Sequence, residues 1–180
     1  MKGKIKYKEV GGTLLSTNIE MLKIELFGKT FIENHPTLKY SFMGNSYPMS
    51  RPLFYVSGNL EGGINEAEIE IEIDWPQDLE DLSHLFENSW SLKELEINNW
   101  SSNVKNTSYM FNNCGYLEYV NLLSLNMMNV TDISHMFENC KKLIVLTSLN
   151  WDTRNIKDMS YLFSVCENLI LVNGLDHGIQ

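Results

Sequence analysis

Three thiols and two histidines recur in one register, and any chemistry in this chain would centre on them. Cys114, Cys140 and Cys166 recur at a constant interval, with Ser89 at the equivalent place before Cys114. His84, Tyr109, His135 and Tyr161 keep the same register, and Asp81 and Asp132 each precede a histidine by three residues. Such Asp–His spacing could serve proton transfer, and lined-up thiols could bind a metal. Both readings require groups that converge on one point. Stacked repeats sit about 5 Å apart, which spreads one ligand per repeat into a line and puts the two histidines about 10 Å apart. The expectation is therefore cysteine acting as a small hydrophobe. The histidines and tyrosines are expected as a strip on the helical side, a candidate recognition surface. No phosphate-binding glycine loop, paired-histidine zinc motif or nucleophile elbow is present. The chain reads as non-enzymatic, with no cofactor.

The element that positions these columns is an internal repeat. Phe86, Phe111, Phe137 and Phe163 mark four successive copies, each about 25 to 26 positions after the last. Leu92, Leu117, Leu143 and Leu169 keep those offsets, as do Leu95, Val120, Leu146 and Val172, and Ser83, Ser108, Ser134 and Ser160. A period of 20–29 with a leucine ladder predicts a stacked solenoid. Within the third copy, Val130, Ile133, Met136, Phe137 and Cys140 recur at helical spacing, with Asn129 as a cap and Lys141 and Lys142 at the negative end of the dipole. Leu143 and Leu146 then read as a turn into a short strand. The expected fold is an α/β leucine-rich-repeat solenoid of four helix–turn–strand repeats over residues 79–180, preceded by a small β-rich unit over residues 1–78.

The stretches Asn-Val-Thr-Asp-Ile-Ser-His-Met-Phe-Glu-Asn-Cys, ending at Cys140, and Asn-Ile-Lys-Asp-Met-Ser-Tyr-Leu-Phe, ending at Phe163, resemble the repeat units of BspA-like leucine-rich-repeat proteins. The resemblance covers residues 79–176. It implies a surface or adhesion role without catalysis, and partner binding on the strand face.

Ahead of the repeats, Ala67, Ile69, Ile71, Ile73 and Trp75 alternate with Glu68, Glu70, Glu72 and Asp74, the pattern of a half-buried strand. Shorter strands are predicted over 21–27 and 53–58. This unit is expected to cap the first repeat or to dock to a larger assembly.

The outward strand positions form the principal candidate site. Glu94, Tyr119, Val145 and Leu171 make one row; Glu96, Asn121, Thr147 and Asn173 make the next. The first row becomes more apolar toward the C-terminus, as contact surfaces do. The last strand, around residues 169–172, leaves an edge that a second copy, another subunit or the folded tail is expected to cover. Asn88, Asn113 and Asn139, and likewise Asn103, Asn129 and Asn155, are expected to bond backbone at turns.

The 14 Lys+Arg against 23 Asp+Glu give a formal charge of −9, which argues against nucleic-acid binding. No apolar run is long enough for membrane insertion, and Lys2, Lys4, Lys6 and Lys8 lead into Glu9 rather than an apolar signal core. The reading is a protein-interaction module, binding a protein partner or itself through the strand face or C-terminal edge. It is expected as a structural component of a larger particle such as a phage virion, or alternatively as a microbial-surface adhesion module for a host protein or glycan.

Overall fold

A computed structural model describes residues 2–10, 21–24, 27–51, 53–56, 66–76, 78–90, 92–98, 100–101, 103–147 and 151–173. Its elements run β1 (Lys2–Val10), β2 (Met21–Ile24), α1 (Lys29–Asn34), β3 (Lys39–Phe42), β4 (Asn45–Pro48), β5 (Leu53–Val56), β6 (Glu66–Asp74), β7 (Leu92–Asn98), β8 (Tyr119–Asn121), β9 (Val145–Thr147) and β10 (Leu171–Asn173). Eight of the strands form one sheet in the order β10-β9-β8-β7-β1-β6-β3-β4, and β2 pairs with β5 separately. The strands β7 to β10 run parallel, one per repeat, while β1 joins them antiparallel. The sheet therefore continues from the repeats into the N-terminal segment. One apolar cluster, from Phe27 to Leu162, lies beneath it.

The alternation over 66–74 forms β6, and its inward residues Ile71 and Ile73 are buried along with Trp75. The lysine-rich start, read above only as a charged segment without a signal core, is β1. Its register sets Lys8, Lys6 and Lys4 opposite Glu68, Glu70 and Glu72 of β6, and opposite Glu94, Glu96 and Asn98 of β7. The register thus sets lysine positions against glutamate positions along β6, a pattern that a one-residue slip would lose.

The helix–turn–strand expectation is overturned. The one α-helix among the described residues is the six-residue α1, which lies outside the repeats. Where each repeat was expected to form a helix, the chain forms consecutive β-turns, so this is not an α/β solenoid. In the first repeat, Leu85 N–H donates to the Leu82 carbonyl, Glu87 N–H to His84 and Ser89 N–H to Phe86. Each bond spans three residues, not the four of an α-helix. The residues between donate outward to the next repeat: Leu82 to Asn106, His84 to Ser108, Phe86 to Met110 and Asn88 to Asn112, at 2.8–3.1 Å. Ser83 N–H goes to the Asp81 carboxylate at 2.8 Å. Every backbone N–H from 82 to 89 is thus satisfied, as burial requires.

This alternation depends on two left-handed residues in every repeat. His84, Tyr109, His135 and Tyr161 have φ of 57–62°, and Asn88, Asn113, Asn139 and Val165 have φ of 60–62°. Such a conformation costs a non-glycine residue about 1–2 kcal/mol, and four inter-repeat hydrogen bonds offset it. We call each such stacked, turn-rich segment a rung.

Glycine is required where the N-terminal segment meets the first rung. An added Cβ on Gly28 would lie 2.0 Å from the His84 carbonyl oxygen. The bare backbone allows Gly28 N–H to reach the Leu85 carbonyl at 2.8 Å.

Candidate functional site

The parallel ladder assembles the predicted strand-face rows. Glu94, Tyr119, Val145 and Leu171 are consecutive register partners, and so are Glu96, Asn121, Thr147 and Asn173. Between these rows Leu95, Val120 and Leu146 turn inward and are buried, while the described members of both rows are partly exposed. The alternation of the pleat thus gives the sheet one core face and one outer face. Through β1, the register continues the first row into Lys8 and Glu68 and the second into Lys6 and Glu70. The rows therefore pass from Tyr119 and Val145 into alternating acidic and basic stripes.

The His/Tyr column forms a stack of rings rather than a strip on a helix. His84 and Tyr109 have centroids 5.0 Å apart, Tyr109 and His135 4.4 Å, and His135 and Tyr161 4.8 Å, all within 13° of parallel. The proposed Asp–His pairs do not form. Asp81, Asn106, Asp132 and Asp158 each accept the N–H of the serine two residues on, at 2.8–2.9 Å. Histidine pairs instead with the glutamate three residues later: His84 Nδ1 lies 3.0 Å from Glu87 Oε2, and His135 Nδ1 2.7 Å from Glu138 Oε2. Glu138 also accepts from Asn112 Nδ2 at 3.0 Å, tying two rungs together. Ring faces covered by neighbours and ring nitrogens tied to glutamate suit a structural spine better than a proton relay.

The cysteines line the interior. Each thiol donates to the carbonyl of the phenylalanine one rung before: Cys114 to Phe86, Cys140 to Phe111 and Cys166 to Phe137, at 3.0–3.1 Å. Burial pushes all three thiols above their ordinary range, Cys166 to about 11. No group of three or more His, Cys, Asp or Glu among the described residues is placed to hold a metal ion.

The first asparagine column bonds along itself rather than to backbone as expected. Asn139 Nδ2 donates to Asn113 Oδ1 at 2.9 Å, and Asn113 Nδ2 to Asn88 Oδ1 at 3.0 Å. In the second column, Asn155 Nδ2 reaches the Met128 carbonyl at 2.7 Å.

Two features escaped the sequence reading. Trp90 is 64% exposed and sits 6.2 Å from Tyr116, whose ring also carries Lys142 Nζ at 4.2 Å. They belong to neighbouring columns, Trp90 with Gly115, Lys141 and Glu167, and Tyr116 with Ser91, Lys142 and Asn168, so neither column is an aromatic repeat. The other is a cleft of 330 Å³ lined by His35, Asp78, Glu80 and Asp81 among others. Two of its carboxylates are already engaged, Glu80 with Lys105 Nζ at 2.7 Å and Asp81 with Ser83.

No helix among the described residues is long and apolar enough to cross a membrane. No curated protein and no solved structure matches the chain significantly. Residues 62–171 match the family described as "Mycoplasma protein of unknown function, DUF285", and with more than half of its length covered by that match, the chain belongs to this family.

Proposed function

We propose that the chain is a non-enzymatic protein-interaction module that binds through the outer face of its eight-stranded sheet, as a component of a larger assembly such as a virion. The observation that carries this reading is the unbroken register of the two outer rows, which places Tyr119 and Val145 beside one another within a polar surround. A hydrogen-bonded sheet is already ordered, so a partner docking on it loses little conformational entropy. Partly exposed apolar anchors inside a charged rim are the usual anatomy of a protein interface.

A photoreactive side chain placed at position 119 tests this. It should crosslink to one defined protein, or to a second copy of the chain, and the product should disappear when Val145→Glu is added. If position 119 yields no product and the chain stays monomeric by light scattering, the sheet face is not the binding surface.

A second reading, recognition at a microbial surface, draws on the resemblance to BspA-like repeats and on the exposed Trp90–Tyr116 pair. Such rings suit stacking against apolar sugar faces. Glycan-array binding that is lost in Trp90→Ala would favour it over the assembly reading.

A further inference from the structure

Trp75, Trp100 and Trp151 are buried, whereas Trp90 is 64% exposed. The Trp90 carbonyl accepts the Tyr116 N–H at 3.2 Å, which sets the Gly115–Tyr116 peptide directly beside it in the next rung. Since Gly115 is the counterpart of Trp90 there, the place next to the indole holds no side chain. Nothing in the backbone demands that glycine. Its φ lies outside the left-handed region, and an added Cβ would meet no atom within 4 Å beyond its two chain neighbours. The missing side chain leaves a gap between the column positions of Trp90 and Lys141, which are about 10 Å apart at the spacing of stacked repeats. Tyr116 lies alongside, its ring tilted 58° to that of Trp90 and carrying Lys142 Nζ. Lys141 and Lys142 are both exposed, and neither is ion-paired among the described residues. Glu167, one rung beyond Lys141, bounds the positive region on that side. Asn113 and Asn139, two residues before Gly115 and Lys141, each use one amide N–H on the asparagine of the preceding rung and keep the second.

We infer that the gap at Gly115 seats one acidic sugar residue of a glycan, its apolar face on Trp90 and its carboxylate or sulfate on Lys141 and Lys142. The inference rests on the recognition reading above and names the ligand class of that aromatic pair. Charge argues for the acid. With a formal charge of −9 the chain repels anions over most of its surface, and two adjacent lysines without carboxylate partners are a local exception. Ammonium groups form strong charge-assisted hydrogen bonds to such an anion. The remaining groups argue for the sugar. A pyranose offers C–H groups to the electron-rich face of an indole and hydroxyls to the amide N–H groups of Asn113 and Asn139. A bare phosphate or sulfate would leave Trp90 unused, and an apolar ligand would leave the lysines and amides unused. A lipid surface would engage the ring and the lysines, but it has no use for a recess made by one missing side chain.

An array of sialylated, sulfated and neutral glycans, probed with the full chain, is the first measurement, and titration with one acidic glycan and its neutral counterpart is the second. The acidic glycan should bind at least about tenfold more tightly than its counterpart, the difference that one hydrogen bond to a charged group makes. Sialylated and sulfated members of the array tell a carboxylate from a sulfate. The bound glycan should protect Trp90 from acrylamide quenching, the other three indoles being buried. Gly115→Gln should abolish binding without lowering the melting temperature, because the new side chain fills the gap and its Cβ meets nothing in the fold. Lys141→Gln together with Lys142→Gln should bring the acidic glycan down to the affinity of the neutral one. Binding of neutral glycans alone, lost in Trp90→Ala, would overturn this inference and leave the recognition reading standing. Binding to no glycan would overturn both, and capture by phosphatidylserine vesicles in its place would make the surface a membrane contact. Undiminished binding of the acidic glycan by Gly115→Gln would overturn the gap as its seat.

Discussion

Gly28 donates its backbone N–H to the carbonyl of Leu85 at 2.8 Å, the bond that Phe86 makes to Met110 one rung further on. The segment around it imitates a preceding rung in two further respects. Phe27 lies on Phe86 as Phe86 lies on Phe111. Thr30 Oγ1 approaches Glu87 Oε2 at 3.4 Å, the place that Asn112 takes on Glu138. The N-terminal segment thus covers the end of the stack with a partial copy of its bonding.

Gly28→Ala should damage that cover specifically. Its methyl would overlap the His84 carbonyl, and backbone cannot rotate away as a side chain tip can. A loss of roughly 1–3 kcal/mol is expected, the usual range for overpacking. Chemical denaturation measures it, and amide exchange should show the loss confined at first to rung one. Wild-type stability in this variant would mean that the close approach of Gly28 to His84 is wrong.

Val165 occupies the left-handed position held by Asn88, Asn113 and Asn139 in the other rungs. A β-branched residue is poorly suited to that conformation, whereas asparagine tolerates it. Val165→Asn should therefore raise stability by about 1 kcal/mol. It should also extend the side-chain ladder that now stops at Asn139. Val165→Gly removes the strain without adding a side chain, so the difference between the two isolates the ladder bond. Lower stability in both would show that Val165 packs more than its 43% exposure suggests.

The columns were legible because each repeat places the same side chain in the same environment. Phe86, Leu92 and Leu95 and their counterparts in the second and third repeats are core, and Glu94 and Tyr119 are partly exposed, whatever the backbone does between them. The backbone itself was not legible from apolar spacing. Ile133, Met136, Phe137 and Cys140 point inward at intervals that an amphipathic helix and this run of turns share. The discriminating sign lay in His135 and Asn139, polar residues at fixed places that tolerate positive φ and interrupt a helix. Strand β1 was hidden for another reason: Lys4, Lys6 and Lys8 acquire their meaning only beside Glu72, Glu70 and Glu68, which are remote from them in sequence.

The thiols should separate by reactivity. Alkylation requires the thiolate, and burial raises the Cys166 thiol to about 11 and raises the other two as well. In the folded chain Cys166, being partly exposed, should label first, and faster as the pH climbs from 8 towards 11. Cys114 and Cys140 should label only at the rate of unfolding. The same shift has a consequence for stability. The folded state holds the Cys166 proton more tightly than the unfolded chain, so its contribution is complete below about pH 8.5. That contribution is lost as the pH rises through about 11. Rapid labelling of Cys114 in folded protein would contradict its burial.

The phenylalanine stack offers a test of the rung register from within. Phe137 is fully buried, with Phe111 at 5.2 Å on one side and Phe163 at 5.7 Å on the other. Phe137→Ala should cost roughly 3–5 kcal/mol, because it removes a large buried side chain and leaves a cavity between two rings that cannot both close it. Phe163 has one such neighbour and is only partly buried. Its truncation removes less buried area and opens to solvent instead of forming a sealed void, so Phe163→Ala should cost distinctly less. Denaturation midpoints of the two variants decide the matter. Equal losses would mean that something covers Phe163 as fully as it covers Phe137, and a steady midpoint in Phe137→Ala would mean that the stack is not the core.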